Sequence, residues 1–291
     1  MKPAPFSYVR ATSLAEAFRL WSDAGPEAKL LAGGQSLLAS LAFRLSEPST
    51  LIDISRVPEL AGISQAGEAI RIGAAVTHAE LGRHELVRRH LPLVAEAVPL
   101  IGHPAIRNRG TVGGSLAFAD PAAELPACAM ALEAVVIARS AEGERRIPAA
   151  RFFTGLYATA LGAGELIAAV EFPVARAGER SAILELARRS GDYAMAGVAA
   201  KAKLAGSTLI DPRIVFFGVG DRPVAAERAM AAVAGRQVAA DTVAAAQAAL
   251  HGDLDPPDGQ DGSPQMKRHL ARVLLARALQ RLSGSEEARA A

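Results

Sequence analysis

Residues 28–37 read AKLLAGGQSL, and this stretch decides the opening fold. Ala28 to Leu31 is a short apolar run of strand length. Gly33-Gly34 break it, and Leu37 to Leu45 resume at helical spacing. Upstream, Phe6-Ser7-Tyr8-Val9 is short and alternating, as a strand is. Thr12-Ser13 then precede Leu14, Ala15, Ala17, Phe18 and Trp21, which share one helical face, with Ser13 as the expected N-cap. Downstream, Leu51-Ile52-Asp53-Ile54 reads as another strand. The order β-α-β-α-β marks an α/β subdomain.

From Ala61 the spacing shortens. Gly67 marks a turn between Ile63-Ser64 and Ile70-Arg71-Ile72-Gly73. Thr77 is the expected cap of a helix carrying Ala79, Leu81 and Leu86, and Leu91 to Ile101 reads as a second helix. Ile106 to Pro121 reads as a loop rich in Gly and Asn. Leu125 to Ala131 is expected to be helical, with strands at Glu133 to Arg139 and Leu166 to Pro173. Arg176 to Glu179 is the best boundary. Beyond it the pattern predicts strands at Ala182–Leu186, Ala196–Leu204 and Arg213–Val219. Alanine-rich helices follow at 225–234 and 241–250. After a turn-rich segment at 252–264, an amphipathic helix spans Lys267 to Leu282.

Composition excludes several functions. Over 291 residues, 51% are apolar and 21% charged, which rules out disorder. No uncharged apolar run approaches the ~20 residues of a membrane span. The start, MKPAPFSYVR, carries no signal-peptide core, so a cytoplasmic location is expected. Lys plus Arg total 32 and Asp plus Glu 30, which leaves no basic footprint for nucleic acid. Cys128 is the single cysteine, so this chain cannot ligate an iron–sulfur cluster or hold a thiolate zinc site. The six histidines form no metal motif and read as solvated helix residues. Any redox role therefore needs an organic cofactor.

Two glycine loops carry the chemistry. In Lys29-Leu30-Leu31-Ala32-Gly33-Gly34-Gln35-Ser36-Leu37, paired glycines after a strand let backbone approach a ligand, and the following helix start favours an anion. The same residues also suit a purely structural tight turn. The second loop, Ile106 to Pro121, repeats the device: Gly113-Gly114 stand between the hydroxyls of Thr111 and Ser115. Two such cradles suit the two halves of a pyrophosphate. Asp120 either accepts hydrogen bonds from a ligand or caps the helix after Pro121.

LLAGGQSLL at 30–38, IRNRGTVGGSLAFADPAAELPA at 106–127 and RRSGDYAMAG at 188–197, in this order and spacing, resemble the FAD-binding medium subunit of the molybdenum hydroxylases. That family includes the carbon monoxide dehydrogenase flavoprotein and the flavin domain of xanthine dehydrogenase. The resemblance implies an α+β fold: a two-subdomain FAD-binding domain of the p-cresol methylhydroxylase or vanillyl-alcohol oxidase type over 1–175, with subdomains at about 1–57 and 58–175. A small α+β C-terminal domain over 180–291 is implied after it. It implies cofactor contacts from Lys29 to Leu37, from Thr111, Gly113, Gly114 and Ser115, and from Ile101, Asp120 and Leu161. Tyr193 is implied to cover one face of the flavin; by itself it reads as a packing tyrosine. Three positions depart from the family's usual pattern: Phe118 stands where relatives carry His, Ala39 where they carry Pro, and Glu185 at about a frequent Lys. An acid there would disfavour an anionic reduced flavin.

The resemblance further implies an oxidoreductase subunit that takes electrons from two 2Fe–2S clusters on a small subunit and passes them to an external acceptor. A large subunit would hold molybdopterin and hydroxylate the substrate, in a dimer of heterotrimers. No residue of this chain is then a catalytic nucleophile or base, and none a metal ligand. A stand-alone FAD oxidase and a non-redox nucleotide-binding module remain the alternatives.

Overall fold

The computed structural model describes residues 2–259 and 262–284. Its first layer is a three-stranded parallel sheet in which Thr50–Asp53 lies between Ser7–Arg10 and Ala28–Leu31. Helix Leu14–Ala24 crosses between the first two strands, and the Ser13 side chain caps it by accepting from the Glu16 N–H. Asp53, buried at the end of the central strand, accepts from Arg10 Nε at 3.1 Å and from the Ser55 N–H at 2.9 Å. The first glycine loop leaves the carboxyl end of Ala28–Leu31, the usual position of a ligand loop in such a sheet. The following helix is shorter than the spacing predicts and stops at Ala42.

A five-stranded antiparallel sheet follows, in the order Ile63–Ala66, Ala69–Gly73, Leu166–Pro173, Val135–Arg139, Glu144–Pro148. Six short helices are inserted between its second strand and Val135. Thr77 and Glu80 form a reciprocal capping box on the first, His78–Arg83. Two expectations are corrected here. The helix expected over Leu91–Ile101 is broken into Pro92–Ala97 and a 3₁₀ turn at Val98–Leu100. Leu91 precedes a proline and leaves the helical region, as the proline ring demands. The stretch expected as a loop over 106–121 contains two helices, Pro104–Arg107 and Val112–Phe118. Glycine disfavours helix locally. Here packing overrides that preference: a Cβ on Gly113 would stand 2.9 Å from the Ala74 Cα and carbonyl oxygen.

Beyond the polar turn at 176–178, four antiparallel strands follow in order: Glu179–Ala187, Ala194–Ala205, Thr208–Phe217 and Val224–Ala225. Both faces of this sheet are buried. Ala182, Val198, Ala200, Ile214 and Phe216 join a core with helices Glu227–Val233, Ala240–Ala249 and Pro264–Ser283. Ile183, Ala199, Val215 and Phe217 point the other way, into the core of the preceding sheet and helices, where Glu124–Ala131 packs on two of the strands. Lys201 and Arg213 on that face reach Glu133, at 3.4 and 2.9 Å. In the turn-rich segment expected over 252–264, residues 260 and 261 lie outside the described residues. Among the described residues, no helix is long and apolar enough to cross a membrane.

Candidate functional site

The two glycine loops meet. Gly33 presses against the second loop so closely that a Cβ would overlap the Arg109 carbonyl oxygen and stand 2.9 Å from Gly110 Cα. An ideal Cβ on Gly114 would stand 4.0 Å from that of Ala32. Gly34 has φ +75°, the left-handed region that glycine enters without penalty. The glycines thus have different reasons: loop-to-loop contact for Gly33, backbone conformation for Gly34 and packing on Ala74 for Gly113.

The loops differ in what they offer a ligand. In the first, the N–H groups of Gly33, Gly34, Gln35 and Ser36 have no acceptor within the chain, and the Ser36 hydroxyl does not cap the helix that follows. In the second, the donors are spent. The Val112 N–H bonds to Val76 O, Gly113 to Ala74 O, and Gly114 to the Thr111 hydroxyl at 3.1 Å. That loop therefore contributes shape: the bare Cα of Gly114, beside the Ser115 side chain. Thr111 itself is buried as the helix cap. His78 supports the loop from below. Its main-chain N–H donates to Gly110 O, and its Nε2–H to Thr111 O at 3.1 Å. Burial drives its imidazole down to about 4, so it is neutral. His78 is only 5% exposed, which corrects its reading as a solvated helix residue.

A second group of residues lies at the far end of the helix Val112–Phe118. Asp120 is buried and its Oδ1 accepts from the Ala122 N–H at 2.9 Å. It closes a local turn; it does not cap the helix, which begins at Glu124 after Ala123. Burial holds its carboxyl above the ordinary carboxylate range. The Phe118 and Tyr157 rings are 5.0 Å apart. Tyr193 leaves 67% of its surface open. Desolvation around the hydroxyl, then the charges of Asp120, Tyr157 and Glu124, push its phenol up. The loop bearing Tyr193 sits on His103, whose ring would lie 2.7 Å at Nδ1 from a Cβ on Gly191. Ile101 is buried two residues before that histidine.

Of the residues singled out from the sequence, the structure joins Ala32 to Ser36 with Gly114, and groups Asp120 with Tyr193. Leu37 starts the helix after the first loop. Lys29 and Leu30 lie in the strand before it, Lys29 exposed and Leu30 half-buried. Leu161 packs at the edge of the first core. Sequence reasoning missed Tyr157, which projects from a tight hairpin at φ +52°. A lone aromatic one residue past Gly155 was its only signal. It also missed that Glu124 is buried. Among the described residues, no group of His, Cys, Asp and Glu is placed to hold a metal ion.

The family profile described as "FAD binding domain in molybdopterin dehydrogenase" matches residues 4–175, and the "CO dehydrogenase flavoprotein C-terminal domain" matches 181–282. The chain is 42% identical to the 6-hydroxypseudooxynicotine dehydrogenase complex subunit alpha of Paenarthrobacter nicotinovorans, over 96% of this chain and 95% of that one. It is 36% identical to the carbon monoxide dehydrogenase medium chain of Hydrogenophaga pseudoflava, over 96% and 97%. In three dimensions, a chain of carbon monoxide dehydrogenase from H. pseudoflava superposes with a TM-score of 0.94 at 38% identity, covering 96% of this chain and 98% of that one. A chain of quinoline 2-oxidoreductase from Pseudomonas putida 86 gives 0.93 at 36% identity, covering 98% and 99%. The match is therefore end to end, at the length of a subunit. The chain belongs to the family of FAD-binding subunits of the molybdenum hydroxylases, as the flavoprotein component of an oxidoreductase.

Proposed function

We propose that the two glycine loops hold the diphosphate of FAD and that the residues around Asp120 and Tyr193 hold its ring. One observation carries the reading. Four consecutive N–H groups, Gly33 to Ser36, lack acceptors where a second backbone closes over them. Backbone donors without partners, with no carboxylate bonded to them, are what an oligophosphate requires. The residues present therefore fit the group. When bound, FAD supplies the electron-transfer chemistry.

The chain's own residues position and shield. Gly114 admits close approach, Ser115 and Ser36 offer hydroxyls, and His78 braces the loop from behind. Asp120 offers a buried acceptor to a ring or ribityl donor, and Tyr193 and Tyr157 supply exposed aromatic faces beside it. The FAD-binding domain is taken to span 1–175, in subdomains of about 1–57 and 58–175, with the C-terminal domain at 180–291. The working unit in this reading is a dimer of heterotrimers with a large molybdenum subunit and a small iron–sulfur subunit, passing electrons to an external acceptor. Cys128 alone cannot ligate a cluster, which supports electron delivery by another chain.

The test is twofold. Cofactor released by heat should chromatograph as FAD; FMN alone, or no flavin from the assembled complex, refutes the site. The isolated chain should not be reduced by aldehydes or N-heterocycles under anaerobic conditions, whereas the coexpressed three-subunit complex should be reduced by its substrate. Rapid bleaching of the chain alone refutes the division of labour.

A further inference from the structure

Behind the ring end of the site lies a set of acids that the electron-transfer role does not use. Glu124 opens the helix Glu124–Ala131 and is only 8% exposed, yet no other residue hydrogen-bonds its carboxylate. Glu185 comes from the strand Glu179–Ala187 of the C-terminal sheet. Like Ile183 two residues before it, it lies on the face turned toward the first core. Its neighbour across the ladder is Gly197, where the Phe217 ring occupies the space a side chain would take. Glu185 Oε2 is buried and has no partner. Neither acid is in an ion pair. The sheet cations on this face, Lys201 and Arg213, are held by Glu133, and Lys201 also by Glu179.

We propose that Glu124 and Glu185 form a proton-sharing carboxyl pair at the seam between the FAD-binding domain and the C-terminal sheet, and that its proton occupancy follows the charge at the ring end of the site. An unpaired carboxylate cannot be buried as an anion at low cost, so it retains a proton. Two acids in mutual range cannot both ionise easily. Burial, then the Glu185 and Asp120 charges, raises Glu124 to about 8, and burial raises Glu185 to about 7.

Every neighbouring titratable group works in the same direction or is engaged elsewhere. Asp120 adds a negative charge and lies within electrostatic range of Glu124, Tyr157 and Tyr193. Glu96 on Pro92–Ala97 is also raised by burial, its charge partly met by Arg281. Cys128, one turn along the helix from Glu124, is buried, and its thiol is pushed up. The line from the exposed Tyr193 and Tyr157 through Asp120 to Glu124 thus connects the open rim to the buried pair. Negative charge added at the rim is matched by one proton bound at the pair. This inference rests on the proposed FAD site only for the meaning of that charge, not for the pair itself.

The test is an infrared titration of the whole chain from pH 5 to 10, following the protonated-carboxyl C=O band, with flavin content measured on the same samples. The wild type should lose a carboxyl proton with a midpoint above 6. In E185Q the midpoint assigned to Glu124 should fall by about one pH unit, a tenfold loss of proton affinity. E124Q should act reciprocally on Glu185, so either variant serves if the other melts below the assay temperature. D120N, which removes rim charge without touching the pair, should lower the midpoint by a smaller amount. Absence of any carboxyl titration above pH 6, or unchanged midpoints in both glutamine variants, overturns the pair. An unchanged midpoint in D120N overturns its link to the rim. A coupled titration in protein that binds no flavin would instead overturn the FAD reading.

Discussion

Gly33→Ala probes how the two loops are joined, before any cofactor is considered. The added methyl would overlap the Arg109 carbonyl oxygen and lie 2.8 Å from the Arg109 carbonyl carbon, against ordinary contact at 3.4 Å or more. Clearing the carbon alone takes a separation of about 0.6 Å, the difference between those two distances, and the oxygen demands more. Both sides are backbone, so no side chain can swing away. Overpacking of this kind costs ~1–3 kcal/mol, and a rigid backbone contact belongs at the upper end. For a chain of this size that is a fall in Tm of about 5–10 °C. The matched control is Gly114→Ala. Its methyl meets only the Thr111 hydroxyl, at 2.8 Å, and therefore costs about one helix cap, ~1 kcal/mol. The assay is a thermal melt of flavin-free chain together with flavin content after purification. Gly33→Ala should lose both stability and flavin; Gly114→Ala should keep most of its stability and lose flavin. A Gly33→Ala protein melting within about 1 °C of wild type, with full flavin, would refute the loop contact and the cradle built on it.

Other perturbations have equally definite outcomes. Glu124→Gln should stabilise the chain at pH 8 and not at pH 4. The folded carboxyl, raised from 4.5 to about 8, binds a proton that the unfolded one releases, so wild-type stability is lost as pH rises through that window, by on the order of 5 kcal/mol; melts at the two pH values measure it. His78 works in the opposite window. Its folded form resists protonation down to about 4, so stability present above 6.5 is lost as pH falls toward 4, by about 3 kcal/mol. His78→Gln should flatten that acid limb in melts run from pH 7 to 4. Cys128 is fully buried, and its thiol is pushed up by burial and then by the charges of Glu124 and Glu96. A thiol reagent should titrate no cysteine in native protein and one after unfolding; rapid native labelling would contradict the packing of this helix.

Local signals were legible where one short-range cause dominates. The Ser13 cap, the Gly67 turn and the strand Leu166–Pro173 stand where the residues place them. The paired glycines were visible as a place where backbone must come close to something. Their separate reasons were not. Nothing local says that Gly33 meets the Arg109 carbonyl while Gly114 faces a hydroxyl, because the two loops are some 75 residues apart and touch only through tertiary packing. The helix Val112–Phe118 was hidden for the same reason: glycine lowers its local propensity, and the bonds of Val112 and Gly113 to Val76 and Ala74 restore it. Tyr157 had no periodic partner in the sequence, since a hairpin at positive φ places it beside Phe118.

By itself the sequence determined the element order, the two glycine loops, the incapacity of a single-cysteine chain to hold a cluster, and, through its motifs, the family. Those properties depend on residue identity and on spacings of a few residues, which chain connectivity preserves. Only the tertiary structure decided which donors stay free, which histidine is buried, and that Glu124 and Glu185, 61 positions apart, share a seam without a neutralising cation. The free energy of a charged or polar group is set by everything packed around it from all directions, and burial and partnership exist only once distant segments are in contact.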